Sequence, residues 1–337
     1  MSAGPHLYSV YGVTIRSEWP LAFPCSSGGA ASLAEVDFVG GTDEDFPGVG
    51  ALRDPDGPWC VPHVFADQST YIHWPGLYEF RIPADGSRVI CRALNGMNRT
   101  VLQNFLFGQA LSFALVFQGR EPLHAASVQV DGAAIGLLGD CTFGKSTLLA
   151  SFVHAGHRVV TDDLLMLAPA EEGFEARPGT GRIKLHADSA RAFLPAGTGS
   201  EPLHPQAVKR SFVLDAALVQ RTALPLTHLF VLTPPDERKR TSSLRIEKLS
   251  QTALFQQLLK SSFNVEIVTR ARLQQQFAWA AGLAGRIDGY QLHVPDGLGH
   301  LPFVRQGIVD HVRRAEPVRM SGRTAGRQVE LMEAKGV

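Results

Sequence analysis

The chain has 337 residues, 45% of them hydrophobic, and its 32 basic side chains are matched by 32 acidic ones. That length suits two domains, or one large domain with an appended lobe, around a substantial core. The balanced charge excludes a global field that would draw the chain to nucleic acid or anionic lipid.

From Leu7 to about Arg92 the sequence is rich in Gly, Pro, Asp and aromatics, with short alternating runs. Tyr78-Glu79-Phe80-Arg81-Ile82 is the clearest, apolar on one face and charged on the other. These features predict a β-rich N-terminal lobe over residues 1–95. Within it, Gly40 to Pro62 is dense in Pro and Gly and reads as a loop or a weakly ordered insertion. The start of the chain alternates polar and apolar residues without a basic opening or a long apolar run, so no signal peptide is expected. Cys25, Cys60, Cys91 and Cys141 are widely spaced and lack metal-ligand spacing, which fits free thiols in a reducing, cytoplasmic compartment.

Val101 to Phe117 is apolar but interrupted by Gln103, Asn104, Gln109 and Ser112, and it is short for a membrane span; a buried helix is expected. Next, Leu123 to Val130 reads as a strand, Asp131-Gly132 as a two-residue hairpin turn, and Ala133 to Leu138 as a buried strand. Those two strands are therefore antiparallel, unlike a simple doubly wound fold. A helix is predicted from Lys145 to Ala155, ended by Gly156. Arg158 to Thr161 forms a strand that runs into Asp162-Asp163, and Leu164 to Leu167 continues as a strand towards a turn near Glu171-Glu172-Gly173. Further on come a strand at Leu229 to Leu232 and helices near 251–260, 268–284 and 303–314. A catalytic domain is thus expected over 96–318, with a polar, frayed tail over 319–337. No internal repeat is visible.

The run Gly139-Asp140-Cys141-Thr142-Phe143-Gly144-Lys145-Ser146-Thr147 is a complete P-loop between a strand and a helix. Its glycines let successive N–H groups converge on one phosphate, and the following helix N-terminus favours an anion. Lys145 can reach the β- and γ-phosphates, and the Ser146 hydroxyl can complete the coordination of magnesium. Cys141 reads as a small filler residue within the loop. ATP and Mg2+ are the expected cofactors.

A P-loop specifies phosphate and no reaction. Asp162-Asp163, at the end of the next strand, narrows the choice: one carboxylate can hold the metal while its neighbour accepts a proton from an incoming hydroxyl. His124, on the strand beside the P-loop strand, is a candidate contact for this centre, and equally a core histidine. Arg182, Lys184, Lys209 and Arg210 are candidates to neutralise charge on the transferring group, with Arg182 and Arg210 preferred.

Leu123-His124-Ala125-Ala126-Ser127-Val128, the P-loop and Gly156-His157-Arg158-Val159-Val160-Thr161-Asp162-Asp163 together resemble the catalytic domain of HPr kinase/phosphorylase. The opening Tyr8 to Ser17 is similar to the start of HPr-kinase-like proteins found beside peptide-modification genes, including lasso-peptide kinases. The resemblance implies a P-loop fold of the HPr kinase and phosphoenolpyruvate carboxykinase type, α/β (α+β) with a mixed sheet. It also implies ATP-dependent phosphorylation of a serine hydroxyl in a peptide or small protein, including a ribosomally made precursor. Carried over by position, Asp162 is the general base, Asp163 helps hold magnesium, and His124 sits against the carboxylates. The family's Glu-x-Arg signature has no recognisable counterpart; Gly181-Arg182-Ile183-Lys184 stands in roughly that region.

Two other classes compete. A transport-type ATPase also opens with Gly-Lys-Ser-Thr-Leu-Leu, but it needs a Leu-Ser-Gly-Gly-Gln-type stretch that is missing here, and a longer interval before its acidic strand. A binding module controlled by nucleotide is disfavoured by intact Lys145, Ser146 and both aspartates. The expected partner is a peptide or small-protein substrate, without nucleic acid or a membrane span; a homo-oligomer is left open.

Overall fold

The structure is a computed structural model, and it describes residues 5–22, 32–53, 60–96, 99–204 and 207–315. The tail expected at 319–337 and Cys25 lie outside the described residues.

The N-terminal strands are β1 (His6–Val10), β2 (Val13–Ser17), β3 (Ala34–Gly40), β4 (Val61–Val64), β5 (Thr70–Trp74), β6 (Tyr78–Ile82) and β7 (Arg88–Ala93). They form a seven-stranded sheet in the order β1-β2-β3-β7-β6-β5-β4. Tyr11 and Gly12 turn β1 into β2 with φ of 59° and 72°, the left-handed pair that a two-residue hairpin needs to match the strand twist. The described part of the stretch expected as a loop at 40–62 holds two single 3-10 turns, Asp43–Asp45 and Gly50–Leu52, before β4 begins.

The expected buried helix is present but is not one regular α-helix. It runs as α1 (Arg99–Phe105), a π-helical turn at Leu106–Ala110, and α2 (Leu111–Phe117). Leu106, Leu111, Phe113 and Leu115 share a core with Ile15, Phe38, Ile72 and Phe80 of the N-terminal sheet. The sheet's open apolar face and the run's apolar residues thus bury one another.

The remaining chain opens with β8 (Leu123–His124), β9 (Ala126–Val130), β10 (Ala133–Leu138), α3 (Lys145–His154), β11 (Val159–Thr161), β12 (Leu164–Leu165), β13 (Leu167–Ala170) and β14 (Gly173–Ala176). It continues through β15 (Arg182–Leu185), α4 (Ala187–Phe193), β16 (Ser200–Pro202), β17 (Arg210–Val213), β18 (Leu224–Leu232) and α5 (Pro235–Arg238). Last come β19 (Arg245–Lys248), α6 (Gln251–Ser261), α7 (Arg270–Ala284), β20 (Asp288–His293) and α8 (Leu301–Arg314). The main sheet has the order β11-β9-β10-β18-β14-β13, with β20 beside β18 and β19 beside β20.

β10, β18 and β20 are parallel, whereas β9 returns antiparallel through the Asp131-Gly132 turn. The sheet is therefore mixed and the fold is α/β (α+β), as the hairpin implied. Along β10, Ile135 and Leu137 face a core shared with α3, α4 and α8, while Ala134 and Leu138 face one shared with α6 and α7. Gly156 closes α3 with φ of 84°; its N–H reaches Val153 O and that of His157 reaches Phe152 O, the paired bonds of a Schellman cap.

One strand expectation needs correction. Leu164 to Leu167 is not continuous: Leu164 and Leu165 pair with His124 and Leu123, and Leu167 begins a separate pairing with β14. The chain changes partner at Met166, whose carbonyl accepts from the Arg177 N–H. Local alternation cannot show such a change of sheet. A small three-stranded sheet, β15-β17-β16, was also not foreseen.

Candidate active site

The P-loop leaves β10 with Gly139 at φ of 138°, passes through Thr142 at 72° and enters α3 after Gly144 at 78°. These left-handed residues turn the chain tightly enough to gather its N–H groups at the start of α3. A Cβ on Gly144 would stand 3.0 Å from a guanidinium nitrogen of Arg238, whose other nitrogen donates to Phe143 O. Arg238 buttresses the loop from α5, and burial lowers its guanidinium from the ordinary value. No pattern in the sequence singles it out.

Lys145 is buried, and its ammonium donates to Gly139 O at 2.6 Å and Asp140 O at 3.1 Å. Burial lowers its pKa, with nearby carboxylates working against that. Ser146 donates from Oγ to Asp162 Oδ1 at 2.8 Å. The other oxygen of Asp162 accepts the Lys184 N–H at 2.9 Å. Burial, and next the charge of Asp163, raise the Asp162 carboxyl above its usual range.

Asp163 follows at φ of 80°, with the Leu164 N–H reaching back to Asp162 O at 3.1 Å. This i→i+2 bond over a left-handed non-glycine residue is the strained form of the γ-turn, and strain of this kind gathers at functional sites. Asp163 Oδ2 lies 2.5 Å from Lys184 Nζ and Oδ1 lies 3.4 Å from His124 Nε2. Burial pushes the Asp163 carboxyl up, but Lys184 and His124 together outweigh it and hold the group well below the usual carboxylate range. Burial likewise works to lower Lys184, and Asp163 reverses it.

His124 is brought here by the β8–β12 pairing, in register with Leu164, and the adjacent Ala125 N–H donates to Asp163 O at 3.2 Å. Lys184 arrives on β15, where Ile183 and Leu185 are buried in the core and Arg182 and Lys184 point the opposite way. Arg182 reaches the same cleft but is engaged by Glu201 at 2.7 Å and Ala22 O at 3.0 Å. Arg210 does not line it. Its register partner is Leu185, so it stands on the opposite face from Lys184, where its guanidinium holds Ser200 Oγ at 2.9 Å. Lys209, the neighbour, is near enough to Lys145 to act on its charge.

The N-terminal sheet also reaches the centre. Tyr11, at the β1–β2 turn, donates its N–H to Pro178 O at 2.7 Å and lies against Thr161 and Thr180, close under both carboxylates. Burial, and then Asp163, raise its phenol. From the helical run, Gln103, Asn104 and Phe107 complete the wall of a cleft that opens onto Asp162 and Asp163. A Cβ on Gly108, in the π-helical turn, would stand 3.6 Å from Asp163 Oδ2.

The site fits magnesium: a serine hydroxyl and a carboxylate, both hard oxygen donors, already touch beside a phosphate-sized backbone cradle. Among the described residues, this site included, no group of three His, Cys, Asp or Glu side chains could hold a metal, so a magnesium ion here would depend on the serine hydroxyl and on phosphate oxygens.

No family model matches the chain, and no curated protein does. Among solved structures, the Hpr(Ser) kinase/phosphatase from Coxiella burnetii resembles it at 16% identity. The match covers 57% of this chain and 95% of that one, with a TM-score of 0.31. At this score the likeness says nothing of the site, whose chemistry follows from its own residues. Among the described residues, no helix is long and apolar enough to cross a membrane.

Proposed function

We propose that the protein is an ATP-dependent kinase that transfers the γ-phosphoryl group to a serine hydroxyl of a peptide or small protein. One observation carries this reading: the P-loop hydroxyl of Ser146 rests on Asp162, while the adjacent Asp163 faces a cleft able to admit an acceptor. An ATPase needs only the first half of that arrangement.

The P-loop N–H groups and Lys145 hold the phosphates, and Ser146 with Asp162 would hold magnesium. A magnesium ion held by Ser146 and Asp162 would supply the positive charge that offsets charge developing on the phosphates during transfer. Asp163 orients the acceptor hydroxyl and takes its proton as the oxygen bonds to the γ-phosphorus and the bond to ADP breaks. Lys184 and His124 keep this carboxylate ionised at neutral pH, so it can orient the hydroxyl and receive the proton late, once bonding to the γ-phosphorus has made the oxygen acidic. This division reverses the one carried over in the sequence reading, where Asp162 was the base and Asp163 the metal ligand. The reversal is supported by the contact of Ser146 with Asp162 and by the approach of the cleft wall at Gly108 to Asp163. Arg182 and His124 act as positioning residues, and Arg210 has no part.

The finer reading, a ribosomally synthesised precursor acting as acceptor in the cytoplasm, draws on the likeness of the Tyr8–Ser17 opening and of the P-loop region to HPr-kinase-like proteins. Incubation with γ-labelled ATP, magnesium and serine-containing peptides tests the kinase reading. Label on serine supports it; release of phosphate with no labelled peptide, across a diverse peptide set, overturns it in favour of an ATPase.

A further inference from the structure

The cleft before Asp163 is built by two parts of the chain that are distant in sequence, and its wall carries polar groups that the proposed transfer leaves unused. Ser211 is 1% exposed and lines the cleft, yet its hydroxyl has no partner among the described residues. It pairs with Lys184 across β15 and β17, so both side chains leave the same face. A buried hydroxyl without a partner is costly, and a ligand group that reaches it removes the cost.

Opposite stand two adjacent carboxamides. Gln103 is buried, and its Oε1 accepts the Ala22 N–H at 2.7 Å, which fixes the amide and turns its NH2 elsewhere. Asn104 donates Nδ2 to Pro202 O at 3.4 Å, leaving its Oδ1 as an acceptor. One donor and one acceptor on neighbouring residues complement a peptide group, which offers one of each. Phe107 supplies the apolar flank.

Charge narrows the choice further. The lining carries Asp162 and Asp163 against Lys184 and Arg182, and each cation is already engaged, by Asp163 and by Glu201. No uncommitted cation among the described lining residues is left for a carboxylate or phosphate on the acceptor.

We infer that Gln103, Asn104 and Ser211 are specificity-determining residues that recognise the acceptor as a neutral, amide-flanked hydroxyl. The N-terminal sheet and its helical run thereby form half of the acceptor site. This rests on the kinase reading for its role, though not for its binding.

The test uses the full chain with a non-hydrolysable ATP analogue and magnesium. N-acetyl-L-serine N-methylamide is the probe, compared with free L-serine and glycerol by ligand-observed NMR. The blocked serine should bind at least about tenfold tighter than either comparator, and Asn104→Ala and Ser211→Ala should each weaken it by about tenfold. Affinity for the nucleotide analogue and the melting temperature should stay as in the wild type. Ser211→Ala removes an unpartnered hydroxyl, so loss of binding without loss of stability marks a ligand role. Failure of the blocked serine to bind, equal binding of free serine, or unchanged binding in both variants overturns the inference. Binding as expected but no transfer from labelled ATP sinks the kinase reading alone; transfer indifferent to both variants sinks the cleft assignment alone.

Discussion

Lys184 holds Asp163 through its ammonium at 2.5 Å while its backbone N–H holds the neighbouring Asp162 at 2.9 Å. One residue of a four-residue strand thus fixes both carboxylates, one by charge and one by a backbone bond that any residue except proline can make. The two contacts are separable by mutation.

Lys184→Met should therefore leave Asp162 in place and strand Asp163 as an unpaired, half-buried charge beside His124. With both side chains 29% exposed, losing the pair should cost about 1–3 kcal/mol, less than a fully buried pair and less again by whatever the freed carboxyl regains by taking up a proton. Urea unfolding should show a loss of that order. The kcat of transfer should fall by at least about a hundredfold, since Asp163 would no longer be reliably ionised. A variant as active as the wild type would remove Lys184 from the mechanism.

The two aspartates should fail differently. Asp163→Asn should keep magnesium-dependent ATP binding and lose transfer by about 10²- to 10⁴-fold. Asp162→Asn, which alters the partner of Ser146, should instead weaken nucleotide binding in the presence of magnesium and far less in its absence. Calorimetric titration with and without magnesium, beside single-turnover transfer, separates the cases. The opposite pattern would restore Asp162 as the base.

Much of this centre was legible in the sequence because its parts are local. The P-loop, the helix behind it, the Asp131-Gly132 hairpin and the acidic pair at a strand end all follow from neighbouring residues with fixed conformational demands. What stayed hidden depends on pairing at a distance. Arg182-Ile183-Lys184-Leu185 alternates, but a four-residue strand is too short to be told from a loop until β17 pairs with it. The same register explains why Arg210, which pairs with Leu185, faces away from the phosphate centre. Tyr11 lies far from Asp162 in sequence and meets it only because the hairpin tip docks beside Pro178. The π-helical turn around Gly108 left no signal in an apolar run.

That docking can be probed at Gly179, where a Cβ would fall 2.4 Å from Thr161 Oγ1 and 2.8 Å from Tyr11 Cε1. Both neighbours are buried and backed by the carboxylate turn, so neither can retreat freely. Gly179→Ala should destabilise the protein by about 1–3 kcal/mol, the usual cost of overpacking. It should also lower kcat more than nucleotide affinity, because the strain falls on the turn carrying Asp163 rather than on the P-loop. Thermal unfolding and nucleotide titration would show this; an unchanged melting temperature would mean that the hairpin tip is loosely seated.

A last prediction concerns pH, away from the active site. His228 on β18 is buried, its ring nearly parallel to those of Phe230 and Tyr290 beside it, with His311 of α8 edge-on at 6.1 Å. Its Nδ1 and the Nε2 of His311 have no partner among the described residues. Burial, and then the neighbouring His311, push the His228 imidazole down from its ordinary 6.5 to about 4, with Asp288 opposing and Lys248 reinforcing. Burial lowers His311 as well. Between pH 6.5 and about 4 the unfolded chain therefore binds a proton that the folded chain refuses, so stability falls as pH drops through that window and levels off below it. The His228 contribution should be on the order of 3 kcal/mol. His228→Phe keeps the aromatic stack and removes the titration, so its urea midpoint should fall less between pH 7 and pH 4 than that of the wild type. Parallel curves for the two proteins would show that His228 is already paired or solvated in the folded state.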